Sequence, residues 1–104
     1  MSDLLKAKKN IRFEDHLMEE LQDAAFAAEY INSAVEENDS EFLVHALNDV
    51  AKANGMSKIS DESGINRQAL YKMLSENGNP SYKSIVKILE ALGLELQVRL
   101  KKVC

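Results

Sequence analysis

The sequence predicts a mainly α-helical domain built around a helix-turn-helix, with acidic helices before it and a short β-strand after it. Three observations carry that reading. Apolar residues recur at helical spacing through most of the chain. The four glycines and one proline (Gly55, Gly64, Gly78, Gly93 and Pro80) fall where those patterns stop, as expected of residues that end helices. After Gly93 the period drops to two.

In chain order, residues 1–12 are basic and weakly patterned and read as a flexible tail. Leu17, Leu21, Ala24, Ala28, Ile31 and Val35 then share one helical face. They fit one helix over about 14–37, or two with Asp23 capping the second. Asp39 or Ser40 can cap the next helix, because a short oxygen side chain accepts from unpaired backbone N–H groups at a helix start. That helix turns Phe42, Leu43, Ala46, Leu47, Val50 and Ala53 inward and ends at Asn54-Gly55. Three shorter helices follow. Ser57 can cap one over about 58–63. Asn66 can cap one over about 67–76, with Leu70, Met73 and Leu74 inward. Ser81 can cap one over about 82–92, with Tyr82, Ile85, Ile88, Leu89 and Leu92 inward. Finally Leu94, Leu96, Val98 and Leu100 alternate with Glu95, Gln97, Arg99 and Lys101, which predicts a half-buried strand over 94–103. A lone strand leaves its backbone groups unpaired. No second strand-like run is visible, so the expected partner is the same strand of another copy, with Leu94, Leu96, Val98 and Leu100 as dimerisation residues.

Size and composition agree with one domain. The chain has 104 residues, 45% hydrophobic and 29% charged, enough to bury a core without covalent staples. The expected organisation is the tail over 1–12 and a single domain over 13–104. Within that domain lie acidic helices (13–51), a helix-turn-helix core (52–93) and the strand. The single cysteine, Cys104, can form no intramolecular disulfide, which suits a reducing cytoplasm. No apolar run reaches the roughly 20 residues that cross a bilayer, and Met1–Lys6 lacks the apolar core of a signal peptide.

The net charge of −4, taken alone, argues against nucleic acid. Its distribution does not. Residues 1–12 sum to +3, residues 13–51 to −11 with no Lys or Arg, and residues 52–104 to +4. Such asymmetry suggests two binding faces with different partners.

The strongest local signal is Met56–Met73. Ile59, Ile65, Leu70 and Met73 supply inner apolar positions, and Gly64 supplies a sharp turn. The second helix then carries a polar stripe, Arg67, Gln68, Tyr71, Lys72 and Ser75, opposite its apolar residues. In such units the start of the second helix enters the major groove. Arg67 suits guanine and Gln68 suits adenine, since each side chain can pair bidentately with that base. Asn66 is a weaker contact because capping occupies its side chain. Ser57, Lys58, Lys72, Asn79, Ser81 and Lys83 lie at helix starts or in loops that can meet phosphate oxygens. Tyr71 suits either a backbone contact or packing on the preceding helix.

Several stretches resemble a known family. They are Ala46–Ser57, Leu70-Tyr71-Lys72-Met73-Leu74-Ser75, Gly78-Asn79-Pro80-Ser81 and Leu92-Gly93-Leu94. Residues 51–92 resemble the Xre-like helix-turn-helix of phage repressors, and the chain over roughly 13–100 is similar to addiction-module antidote proteins related to HigA antitoxins. Ser60 departs from that pattern, where an alanine is usual, as does Ser63, where an apolar residue is common. Lys52 and Asn54 stand where arginine is more usual. The resemblance implies a phage-repressor-like helical bundle with two functions. One is repression of its own operon at a near-palindromic operator. The other is neutralisation of a small basic toxin of the RelE/ParE kind. The acidic segment 13–51 gives the second function a physical basis, because it suits a cationic surface.

No enzyme emerges. His16 and His45 are far apart, no His/Cys spacing suits zinc, and no glycine-rich loop follows a strand. No metal, cofactor or membrane is expected. A stand-alone regulator and a helical adaptor without DNA binding are the competing readings. Arg67, Gln68 and the local excess of basic residues oppose the adaptor.

Overall fold

The apolar face over residues 17–35 resolves into two helices. The computed structural model describes residues 15–101. Residues 15–20 are helical (α1), residues 21–23 form a turn, and α2 spans Ala24–Glu36. The expected tail over residues 1–12 lies outside the described residues. Asp23 occupies the N-cap position of α2 in extended conformation, but its side chain makes no capping hydrogen bond. The break comes where Leu21 is driven fully into the core.

A short turn leads to α3 (Ser40–Asn54), where Asp39 Oδ1 accepts from the Glu41 and Phe42 N–H groups at 3.0 and 3.4 Å. Helices α2 and α3 form the principal helix pair of the bundle. Tyr30 Oη donates to Asp49 Oδ2 across that pair at 2.7 Å. The last residue of α3 ties down the first turn of the fold. The Asn54 amide donates to the Val50 carbonyl at 2.9 Å and to the Leu21 carbonyl at 3.1 Å. One side chain thus satisfies a helix-end carbonyl, left without an intrahelical partner, and a carbonyl of the α1–α2 turn.

Helix α4 (Met56–Ser63) starts one residue after α3 ends. Gly55, not Ser57, is its N-cap, and Ser57 lies inside the helix. Met56 is buried, so the chain must turn inward at once and leaves no room for a serine cap. Helix α5 (Arg67–Met73) starts at Asn66 as predicted but stops short of residue 76. Leu74 ends it, and the Gly78 N–H donates to the Ser75 carbonyl at 2.8 Å. A side chain at Gly78 would overlap the Met73 and Lys72 carbonyls, so only glycine lets the chain fold back so tightly. Helix α6 (Tyr82–Ala91) is capped by Ser81, whose Oγ accepts from the Ser84 N–H at 3.1 Å.

One apolar cluster runs from Leu21 through Leu47, Val50, Ile59, Leu70 and Leu74 to Ile88, each fully or almost fully buried. Among the described residues no polar or charged side chain is buried with it. Four helical residues expected inward are not. Ala24, Val35, Phe42 (43% exposed) and Tyr82 (73% exposed) sit at helix ends, where the neighbouring helix no longer covers the apolar face.

The C-terminal strand is not formed. Residues 94–101 form no strand, and residues 102 and 103 of the expected strand lie outside the described residues. Leu94 packs against the chain's own core, while Leu96, Val98 and Leu100 are exposed. A strand exists only with a neighbour to share its hydrogen bonds, and the described residues of a single copy offer these residues none. Arg99 instead reaches back to Glu36 Oε1 at 2.7 Å.

Candidate nucleic-acid interface

Between α4 and α5 the chain reverses through Gly64, Ile65 and Asn66. Gly64 takes the left-handed conformation, with φ 73° and ψ 10°, and its N–H donates to the Ser60 carbonyl at 3.0 Å. That φ suits glycine because it has no Cβ to clash. The two serines that depart from the family pattern hold the turn. Ser60 Oγ donates to the Ile65 carbonyl at 2.6 Å, and the Ile65 N–H donates to Ser63 Oγ at 3.1 Å. Asn66 Oδ1 then accepts from the Ala69 N–H at 3.1 Å, fixing the start of α5. Short-range bonds thus lock the entry to this helix.

With Leu70 fully buried, the opposite face of α5 presents Arg67, Gln68, Tyr71 and Lys72 to solvent. Ser57 and Lys58 are exposed on α4, and Asn79, Ser81 and Lys83 around the start of α6. Both α5 and α6 pack on α4, so one helix carries both groups. Among the described residues, none of Lys58, Arg67, Lys72 and Lys83 is held in an ion pair. The side chains of Asn66 and Ser81 are spent on capping. Tyr71 is 45% exposed, which favours a contact role over packing on the preceding helix. Tyr82 was missed by periodicity, since it lies three residues before Ile85 in the inward repeat. It instead stands in solvent between Ser81 and Lys83. Its polar neighbours were the one sequence signal that it belongs with them.

The other half has the opposite sign. Asp15, Glu19, Asp23, Glu29, Glu36, Glu37, Asp39 and Glu41 are exposed. An open cleft of about 540 Å³ lies where α3 meets the segment after α5, with Asp39, Glu41 and Glu76 around Phe42 and Leu74. Asp49 is the polar centre of this half. Its Oδ2 receives the Tyr30 hydroxyl and lies 3.5 Å from His45 Nε2. Burial, then the hydrogen bond to Asp49 and its charge, push the Tyr30 phenol up to about 12.

Known families give this arrangement a class, the antidotes of addiction modules. Residues 11–100 match the model of the family described as "Probable addiction module antidote protein", and the chain belongs to that family. An uncharacterized protein of Haemophilus influenzae is 41% identical over 70 residues, covering 67% of this chain and 72% of that protein. No solved structure matches the chain. No helix among the described residues is long and apolar enough to cross a membrane.

Proposed function

We propose that this antidote is a cytoplasmic, non-enzymatic antitoxin of a type II module that represses its own operon as a sequence-specific DNA-binding homodimer. The observation that carries the DNA half is the outward face of α5. Arg67, Gln68, Tyr71 and Lys72 are exposed together on a helix whose entry is fixed by Ser60, Ser63 and Asn66. A fixed helix start with unpaired cations is what major-groove entry requires, because base reading demands placed donors and phosphates attract the charge. In this reading Arg67 reads guanine and Gln68 adenine. Ser57, Lys58, Lys72, Asn79 and Lys83 hold the phosphate backbone, and Asn66 and Ser81 serve chiefly as caps. Tyr82 joins the backbone contacts through its exposed hydroxyl. Two copies set their α5 helices about 34 Å apart, one turn of DNA, on a near-palindromic operator.

The toxin half rests on family membership and on charge. A small basic toxin of the RelE/ParE kind meets the acidic face of α1 to α3, and opposite potentials speed and orient the encounter. The neighbouring gene's product should co-purify with the full chain in low salt.

The DNA reading is tested by footprinting on the protein's own promoter. Arg67→Ala should cost on the order of 1–3 kcal/mol and relax base preference. Lys83→Ala should weaken all sequences alike and flatten the salt dependence. A wild-type footprint from the Arg67→Ala/Gln68→Ala double variant would sink the assignment.

A further inference from the structure

Residues 94–101 follow the last helix without regular structure, and among the described residues no other segment pairs with them. Leu94 anchors its base: the side chain packs on the core and the N–H donates to the Leu89 carbonyl at 2.8 Å. Past that point, among the described residues, no backbone group of 95–101 enters a backbone hydrogen bond. Leu96, Val98 and Leu100 are exposed along the same stretch. A row of unpaired N–H and C=O groups flanked by apolar side chains is a template for another strand.

The residues of the segment select its partner. In an antiparallel pair, facing residues lie on the same side of the ribbon, and a two-fold pair of identical strands must face itself at its centre. Centred on Gln97, the segment sets Leu94 against Leu100, Leu96 against Val98, and Glu95 against Arg99. Every apolar residue then meets an apolar one on one side. On the other side, opposite charges meet twice, once at each end of the two-fold. A slip of one residue would set apolar against polar throughout. Moving the centre to Leu96 sets Arg99 against Gly93, and moving it to Val98 sets Leu94 against Lys102.

We propose that residues 94–101 are the dimer arm, pairing antiparallel with the same segment of a second copy in the register that sets Gln97 against Gln97. This rests on the homodimeric reading above and adds its register. The existing pair of Arg99 with Glu36 is exposed on both sides. Such surface pairs contribute little, so Arg99 is readily exchanged onto Glu95 of a second copy. A bare two-stranded ribbon is only marginally stable. Here each strand is seated on its own helical body by Leu94, so both ends of the ribbon are supported.

The test uses full-length protein without DNA, in a Cys104→Ser background, with single Gln97→Cys, Leu96→Cys and Val98→Cys variants under mild oxidation. Facing residues of an antiparallel pair lie about 4.5–5.5 Å apart at Cα, within disulfide reach. Gln97→Cys should cross-link to itself. Leu96→Cys and Val98→Cys should each fail alone and cross-link when mixed. Glu95→Arg or Arg99→Glu should weaken dimerisation about tenfold, and the double swap should restore it. Glu36→Gln should leave it unchanged. Wild-type protein that sediments as a monomer at high micromolar concentration would overturn the arm. So would equal cross-linking at all three positions, or a double swap no better than its singles. An unchanged footprint from Arg67→Ala/Gln68→Ala protein that still dimerises would count against the DNA reading and leave the arm standing. A wild-type footprint without a dimer would do the reverse.

Discussion

The two halves of this molecule hold themselves together in different ways. Helices α1 to α3 are tied by side chains that reach across the chain. Tyr30 meets Asp49, and Asn54 holds the carbonyl of Leu21, thirty-three positions away. Helices α4 to α6 use bonds between near neighbours: Ser60 to Ile65, Asn66 to Ala69, Ser81 to Ser84. Local bonds consume only the residues at the turns. They leave the outward polar face of α5 without ion pairs among the described residues. The acidic half spends part of its polar inventory on its own helix packing. The basic half keeps its inventory available for a partner.

The largest expected effect lies where the halves share a core. Leu70 is fully buried in the cluster that also holds Leu21, Leu47 and Ile88. Leu70→Ala should cost about 2–5 kcal/mol, from lost burial plus the cavity left behind. Both halves should melt together in a single transition when followed by circular dichroism. Two separate transitions would mean that the halves are independent units. Asn54→Ala comes next. It leaves the Leu21 carbonyl without its partner and should cost about 1–3 kcal/mol. Its sharper reading is positional. Hydrogen exchange should quicken in residues 15–23 while α5 stays protected and the footprint of the folded protein is unchanged. Equal loosening of α5 would show that the long-range tie supports both halves.

How much of this was legible in the sequence follows the same division. The Asn66 and Ser81 caps, the Gly64 turn, and Asp39 as one of two candidate caps with Ser40, follow from residue type and position, because capping is decided within three or four residues. The same rule fails at Ser57, which lies inside its helix, and residue type does not announce the Ser60 and Ser63 bonds that lock the turn. The break in the long apolar face was visible only as an alternative, because a continuous 4, 3, 4 spacing cannot say whether the helix bends. Asn54 looked like a helix end and no more, since its partner at Leu21 is remote in sequence. Tyr82 and Phe42 carried the right period yet lie at helix ends, where coverage depends on the neighbouring helix. The strand was a period without a partner. Alternation says which side chains share a face and cannot supply the second backbone.

The Tyr30–Asp49 bond belongs to the acidic half alone and carries the least stability of the three. Tyr30→Phe removes the hydroxyl that donates to Asp49 at 2.7 Å and should cost about 1 kcal/mol near neutral pH. The sign of its pH dependence follows from the raised phenol. The folded state holds the Tyr30 proton to about 12 against an ordinary value of 10.0. Folding therefore favours the protonated form, and the stabilisation is fully present below about pH 10. It is lost as pH rises through the folded value, when a phenolate would face the Asp49 carboxylate. Urea midpoints of the wild type and Tyr30→Phe should differ by a constant amount up to about pH 10 and converge between there and about pH 12. Other alkaline effects, such as lysine deprotonation, act on both proteins and cancel in the difference. A gap that persists unchanged into strong alkali would mean that the hydroxyl stabilises the fold by packing alone. The cross-helix tie that distinguishes the acidic half would then rest on Asn54.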